Sequence, residues 1–332
     1  MAKKLRLGML GTGIAARKLY LPAFQALKHR VELVACANRT RQKAEEYARL
    51  ASIPRVVDSA EELLALPEVD AVLISLPIES QPEYVLAALA AGKPVLSEKP
   101  VASTAAEGRK LLAKAARYRT PWLVGENFAY MEQADRLFQW IERGKLGAVR
   151  LVQATQLTLM DRSNPYFHTA WRAAPKHPGG FVLDAGVHIA HLLRRGFGAP
   201  SRIQNLTASF NPELPPLDTA LATFEFPSGA LGSWTSCFSA RYDGPILRVY
   251  GEKANAELHY RDAVLRDARG KETRFTPKHD SFTGQFAHFA DIVLKGVKPR
   301  VSPADALLDL EIMQAIVTPT HRSARRARSR SA

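Results

Sequence analysis

At 332 residues, with 46% hydrophobic and 23% charged residues, the chain is too long for one ordinary core and too apolar to be disordered. The composition excludes several classes. No apolar run reaches the roughly 18–20 residues of a membrane span. Met1-Ala2-Lys3-Lys4 leads into a short run broken by Arg6 and Gly8, unlike a secretory leader. Cys36 and Cys237 are too few for a disulfide or thiolate framework, and a cytoplasmic location is the default. The net charge is +14, but Arg322, Arg325, Arg326, Arg328 and Arg330 lie in the last eleven residues and leave +9 spread over the body. A solvated basic tail and surface is favoured over nucleic-acid binding, for which no motif is present. A positive field also suits a ligand rich in phosphate.

The first 125 residues alternate short apolar runs with helical spacing. Strands are predicted at 5–10, 31–37, 55–57, 70–76, 94–97 and 121–125. Helices are predicted between them at 14–27, 41–50, 60–66, 82–91 and 104–118. Strands separated by such helices form parallel βαβ units, and runs apolar throughout indicate a sheet covered on both faces. After Gly125 the pattern changes. A helix at 133–143 precedes a long alternating strand at 147–158, an irregular stretch at 160–178 and a helix at 180–195. Several alternating strands follow between Ile203 and Tyr260, then closing helices at 281–294 and 303–316. Alternation over long strands predicts a mostly antiparallel sheet with one face on helices and the other free. The fold class is therefore α/β. A Rossmann doubly wound parallel sheet (1–125) precedes an α/β domain with a large open sheet (126–318) and a basic, disordered tail (319–332).

Gly11-Thr12-Gly13-Ile14-Ala15-Ala16 joins the first strand to the first helix as G-x-G-x-x-A. One glycine permits the tight turn, the next lets backbone approach a pyrophosphate, and the helix N-terminus meets the phosphates. At the end of the second strand an acidic residue would hold a ribose 2′-hydroxyl and repel a 2′-phosphate. Asn38 and Arg39 stand there instead, so NADP(H) is expected over NAD(H), which stays possible.

Further on, Glu98-Lys99-Pro100 follows the fifth strand, and Asp184-Ala185-Gly186-Val187-His188 lies in a helix that puts positions 184 and 188 on one face. Lysine, aspartate and histidine are groups that exchange a proton with a carbonyl or alcohol. Trp171 and Arg172 are candidates for a substrate wall, and Asn127 for the domain junction. His168, His177, His188 and His191 match no metal-ligand spacing, and no metal is expected.

Taken in order, GTGIAA, EKP and GGFVLDAGVH resemble the Gfo/Idh/MocA family of nicotinamide-dependent sugar and polyol oxidoreductases, which includes dihydrodiol dehydrogenases. The resemblance extends to about residue 317. It implies that Lys99 and His188 handle the proton at the reacting oxygen, that Asp184 orients the substrate or the histidine, and that Ser75 and Glu98 join the cofactor contacts. It also implies hydride transfer between NADP(H) and a sugar-like, polyol or vicinal diol/carbonyl substrate. A homodimer or homotetramer through the C-terminal sheet is expected. Many family members carry an aspartate where His191 stands, and A-T-P-x-x-x-H where this chain has Ser75-Leu76-Pro77 and Gln81. The rival readings are a regulatory NAD(P)-binding sensor without turnover and an NAD-assisted glycosidase.

Overall fold

The computed structural model describes residues 3–318, so the basic tail lies outside the described residues. Six parallel strands form the first sheet: β1 (Leu5–Leu10), β2 (Val31–Ala37), β3 (Arg55–Val57), β4 (Ala71–Ile74), β5 (Val95–Ser97) and β6 (Trp122–Val124). Their order is β3-β2-β1-β4-β5-β6. The chain winds outward from β1 to β3, then returns and winds the other way from β4. The reversal leaves a crevice beyond the carboxyl ends of β1 and β4, where doubly wound sheets bind ligands.

Both faces of this sheet are covered, as its continuous apolar strands require. Leu5, Leu7, Met9 and Leu73 enter one buried cluster, while Val72 and Ile74 enter the other. Helices α2 (Arg41–Ala51), α3 (Ala60–Ala65), α4 (Gln81–Ala90) and α5 (Ala105–Ala115) fill the crossovers. The helix predicted from Ile14 widens into a π-segment at Ala16–Tyr20 before α1 (Leu21–Ala26).

The rest of the chain contributes α6 (Glu132–Glu142), the short α7 (Ala170–Ala173), α8 (Gly180–Phe197), α9 (Ser281–Lys295) and α10 (Pro303–Val317). Its eight strands are β7 (Val149–Leu157), β8 (Arg202–Ala208), β9 (Thr219–Glu225), β10 (Leu231–Cys237), β11 (Leu247–Gly251), β12 (Ala254–Leu258), β13 (Ala263–Asp267) and β14 (Glu272–Phe275). They run in the order β14-β13-β12-β11-β7-β10-β9-β8, antiparallel except for the β7–β10 pair. Strands β13 and β14 extend the sheet beyond the predicted Tyr260.

Alternation sorts this sheet's residues. Ala154, Ala222, Phe224 and Trp234 are buried toward the helices, and Leu151, Leu206, Leu221 and Leu231 stand exposed on the free face. Helix α8 crosses the covered face so closely that a Cβ on Gly186 would lie 2.7 Å from the Trp234 ring. Helix α10 packs on α8 and α5. Helix α9 crosses back to the first sheet, where Phe286 meets Phe24 at 4.3 Å and the edge of Tyr20 at 5.3 Å between ring centroids.

Candidate active site

The glycine turn lies in the crevice between β1 and β4. Gly11 has φ +91°, and a Cβ there would stand 2.2 Å from the carbonyl oxygen of Ser75, so turn and β4 are in backbone contact. Gly13 has open space where its side chain would be, leaving its backbone accessible to a phosphate. Ile14 and Ala15 follow, half-buried, as the helix begins. Thr12 is buried and its Oγ1 donates to the Lys43 carbonyl at 3.2 Å, while its N–H approaches Asn38 Oδ1 at 3.4 Å. Asn38 donates in turn to the Thr40 carbonyl, which fixes the end of β2 against the turn. Arg39 is exposed and has no carboxylate partner among the described residues, whereas nearby Arg41 is held by Glu45 and Asp58.

At the start of α4, Gln81 is almost wholly buried, with both amide atoms unpaired among the described residues. Buried polar groups without partners are uncommon and call for an explanation. An open glycine cradle, an unpaired amide and a free arginine together fit a dinucleotide.

Lys99 leaves the end of β5 through a cis bond to Pro100 and reaches α8 in the second domain. Its Nζ donates to the Asp184 carbonyl at 2.6 Å and to Asp184 Oδ1 at 2.8 Å. Arg172 Nε donates to Asp184 Oδ2 at 2.9 Å, its guanidinium 3.9 Å from the Trp171 ring centroid and 4.9 Å from that of Tyr166. Asp184 is 5% exposed. Burial alone would raise its pKa, but Lys99 and Arg172 outweigh burial and hold the carboxylate well below its ordinary range.

His188 lies one turn further along α8, and its partner is Glu126, which sequence reasoning passed over. The His188 Nδ1 to Glu126 Oε1 distance is 2.6 Å, and the imidazole stacks on Phe128 at 4.4 Å and 13°. Glu126 is 2% exposed and also accepts the Phe128 N–H at 3.0 Å. Burial pushes Glu126 upward, yet its interaction with His188 more than cancels that and leaves the pKa lowered. Glu98 behaves oppositely. Burial raises its carboxyl to about 7, Asp184 and Glu126 add to the rise, and Lys99 opposes it.

The structure thus gathers Lys99, Asp184, Arg172 and Trp171 into one cluster, with His188 beside it. Of the two roles implied for Asp184, orienting the substrate or the histidine, no hydrogen bond to His188 is made among the described residues. Asp184 instead serves the two cations, and the histidine has its own carboxylate. Asn127 Nδ2 is engaged by Ser281 Oγ at 2.8 Å, which ties the end of β6 to α9. His191 faces α10, where Asp309 holds both its Nδ1 at 3.1 Å and Arg194 Nε at 2.6 Å. His177 is buried beside Trp171 with neither ring nitrogen paired, and burial lowers its pKa. Among the described residues no group of three His, Cys, Asp or Glu side chains is arranged around a metal.

Residues 5–126 match the family model described as "Oxidoreductase family, NAD-binding Rossmann fold", and residues 135–257 match "GFO/IDH/MocA C-terminal domain". The chain belongs to the Gfo/Idh/MocA oxidoreductase family. A Thermotoga maritima oxidoreductase of known structure superposes with a TM-score of 0.90 at 34% identity, covering 95% of this chain and 96% of that one. An uncharacterized Saccharomyces cerevisiae protein is 32% identical over 88% of each chain. The trans-1,2-dihydrobenzene-1,2-diol dehydrogenase of Bos taurus is 27% identical over 94% of this chain and 95% of its own. This Gfo/Idh/MocA protein is therefore an oxidoreductase with an NAD(P)-binding Rossmann domain and a second, mostly antiparallel sheet.

Proposed function

We propose that the protein is an NADP(H)-dependent oxidoreductase that interconverts alcohol and carbonyl on a sugar-like, polyol or vicinal diol substrate. The observation that carries this reading is the pairing of two proton-handling groups with separate buried carboxylates beside the cofactor crevice. Bound across the turn at Gly11–Ala15, a nicotinamide dinucleotide supplies or accepts hydride. Thr12, Asn38, Ser75 and Glu98, together with the turn, would hold it beside Lys99. Arg39, exposed and unpaired, offers a cation to a 2′-phosphate, and no carboxylate at the end of β2 repels it.

The chain's own residues account for the proton. Two of the three Lys99 ammonium protons are held by Asp184, which fixes the third toward a reacting oxygen. Glu126, ionised, holds the His188 Nδ1–H and so fixes the tautomer, leaving Nε2 to exchange the proton with substrate. Trp171 and Arg172 form the substrate wall, with Asn127 at the junction. The reading divides the chain at residue 125 into a cofactor part and a substrate part. It pairs the free leucine face of the second sheet with another copy as a homodimer or homotetramer. The two cysteines, both buried and unpaired, accord with a reducing cytoplasm.

The test is the loss of NADPH absorbance with pooled aldoses, ketoses, dicarbonyls and inosose-like ketones, with NADH run in parallel. Turnover is expected faster on NADPH, abolished in Lys99→Ala and reduced by roughly 10²-fold in Glu126→Gln. A Lys99→Ala protein that keeps the wild-type rate on the same substrate would sink the assignment.

A further inference from the structure

A cavity of about 770 Å³ opens at the ends of β7 and β10, between the chain after β7 and the loop leading into β11. Two residues join it to the catalytic helix. Gln156, 9% exposed, donates through Nε2 to the carbonyl of Ala185, the neighbour of Asp184, at 3.1 Å. Its buried Oε1 has no partner among the described residues. Tyr260, 64% exposed, meets the edge of Phe128 at 6.1 Å and 84°, and Phe128 is the ring stacked on His188. Both residues line the cavity.

The lining restricts what the cavity can hold. Thr155, Thr158 and Ser163 bring hydroxyls and Asn164 an amide. The charged side chains are Asp161, Asp243 and Arg241, and the arginine is 3.9 Å from Asp161. With no lysine and its one arginine already facing a carboxylate, the wall repels a phosphoryl group. An aromatic hydrocarbon would leave the Thr155 and Thr158 hydroxyls facing it without partners, which a site lined by hydrogen-bonding groups penalises. An uncharged, hydroxyl-rich ring satisfies both conditions, placing hydroxyls at the polar wall and a C–H face on Tyr260. The volume exceeds what a single ring fills, and the reacting ring must itself sit at Lys99 and His188.

We propose that this cavity is a second sugar subsite and that the substrate is an uncharged glycoside or oligosaccharide. Its reacting ring lies at Lys99 and His188, and its next unit lies between Gln156 and Tyr260. The assignment rests on the oxidoreductase reading above for the reacting ring. The cavity itself stands on its own lining.

The experiment has two arms on the full chain loaded with NADP⁺. In the first, cofactor reduction is followed with glucose, galactose and xylose, with cellobiose, lactose and xylobiose, and with UDP-glucose. At least one disaccharide is expected to exceed its own monosaccharide by 10-fold or more in kcat/KM, and UDP-glucose to be inert. Tyr260→Ala and Asp243→Ala should bring that ratio toward one through the disaccharide KM. In the second arm, saturation-transfer NMR reads contact between the same disaccharides and the protein, with and without Tyr260→Ala. Contact confined to the reducing ring, a ratio of one in the wild type, or UDP-glucose as the best substrate would each overturn the subsite. Tyr260-dependent contact by the second ring without any turnover would uphold the subsite and count against the oxidoreductase reading of its substrate.

Discussion

The two sheets solve one problem in different ways. The parallel sheet is buried on both faces, and at the end of β1 the turn is in backbone contact with Ser75 at Gly11 while Gly13 stays open. The mixed sheet is covered on one face only and keeps four leucines in solvent on the other. A sheet enclosed on both sides has little freedom to vary, which suits a cofactor of fixed shape. A half-covered sheet leaves a face and its strand ends free to carry contacts that differ from protein to protein, such as a second subunit or a substrate's outer units.

The enclosed sheet tolerates least change at Gly11. An alanine there must hold a positive φ and drive its Cβ into the Ser75 carbonyl, at a cost of roughly 3 kcal/mol or more. Gly11→Ala is expected to lower Tm by many degrees and to abolish quenching of tryptophan fluorescence by NADPH. Unchanged NADPH affinity would show that this turn does not hold the phosphates. Leu231→Arg probes the other sheet. On the free face it should change folding stability by no more than about 0.5 kcal/mol. Sedimentation should nevertheless show a shift to monomer, and an unchanged sedimentation coefficient would remove the leucine face from the interface.

A pH-dependent effect lies at the seam between the sheets. The Glu98 carboxyl, raised from 4.5 to about 7, keeps a proton in the folded chain that the unfolded chain has already released. Folded-state stability therefore falls as pH rises from 4.5 to 7, and the deficit persists above 7. Glu98→Gln should raise the Tm of the cofactor-free protein by a few degrees at pH 8 and leave it unchanged near pH 5. An equal shift at both pH values would contradict burial as the cause. Asp184 works with the opposite sign, since its depressed pKa stabilises the fold above the ordinary carboxylate range and that contribution is lost as acid protonates it.

Much of this was legible from residue order. Strands β1 to β6 announce themselves because a doubly covered sheet needs continuous apolar runs. The turn at Gly11 does so because glycine spacing between strand and helix is itself the mechanism. Helical spacing placed Asp184 and His188 on one face, and Lys99 was visible through its neighbour Pro100. The partners were not legible. Glu126 is one glutamate after a short strand, and nothing local says that residue 188 supplies its hydrogen bond. His191 stood out only as a histidine where many family members carry an aspartate, and its partner Asp309 lies far along the chain. Strands β13 and β14 are short: β13 lies between β12 and β14, and the mostly polar four-residue β14 is the edge, held by tertiary context rather than pattern.

Helix α9 gives the fold an order of assembly. Phe286 and Phe289 complete the cluster that holds β1, Tyr20 and Phe24, yet they leave the ribosome after about seven-eighths of the chain. The dinucleotide-binding sheet, first to be translated, waits with one apolar flank only partly covered by α1 and α2 until the second sheet has been made. A fragment ending near residue 126 would carry the whole glycine turn and still lack the lid of its own core. Aggregation of that fragment, relieved by adding a peptide spanning 281–295, is how the dependence would show itself at the bench.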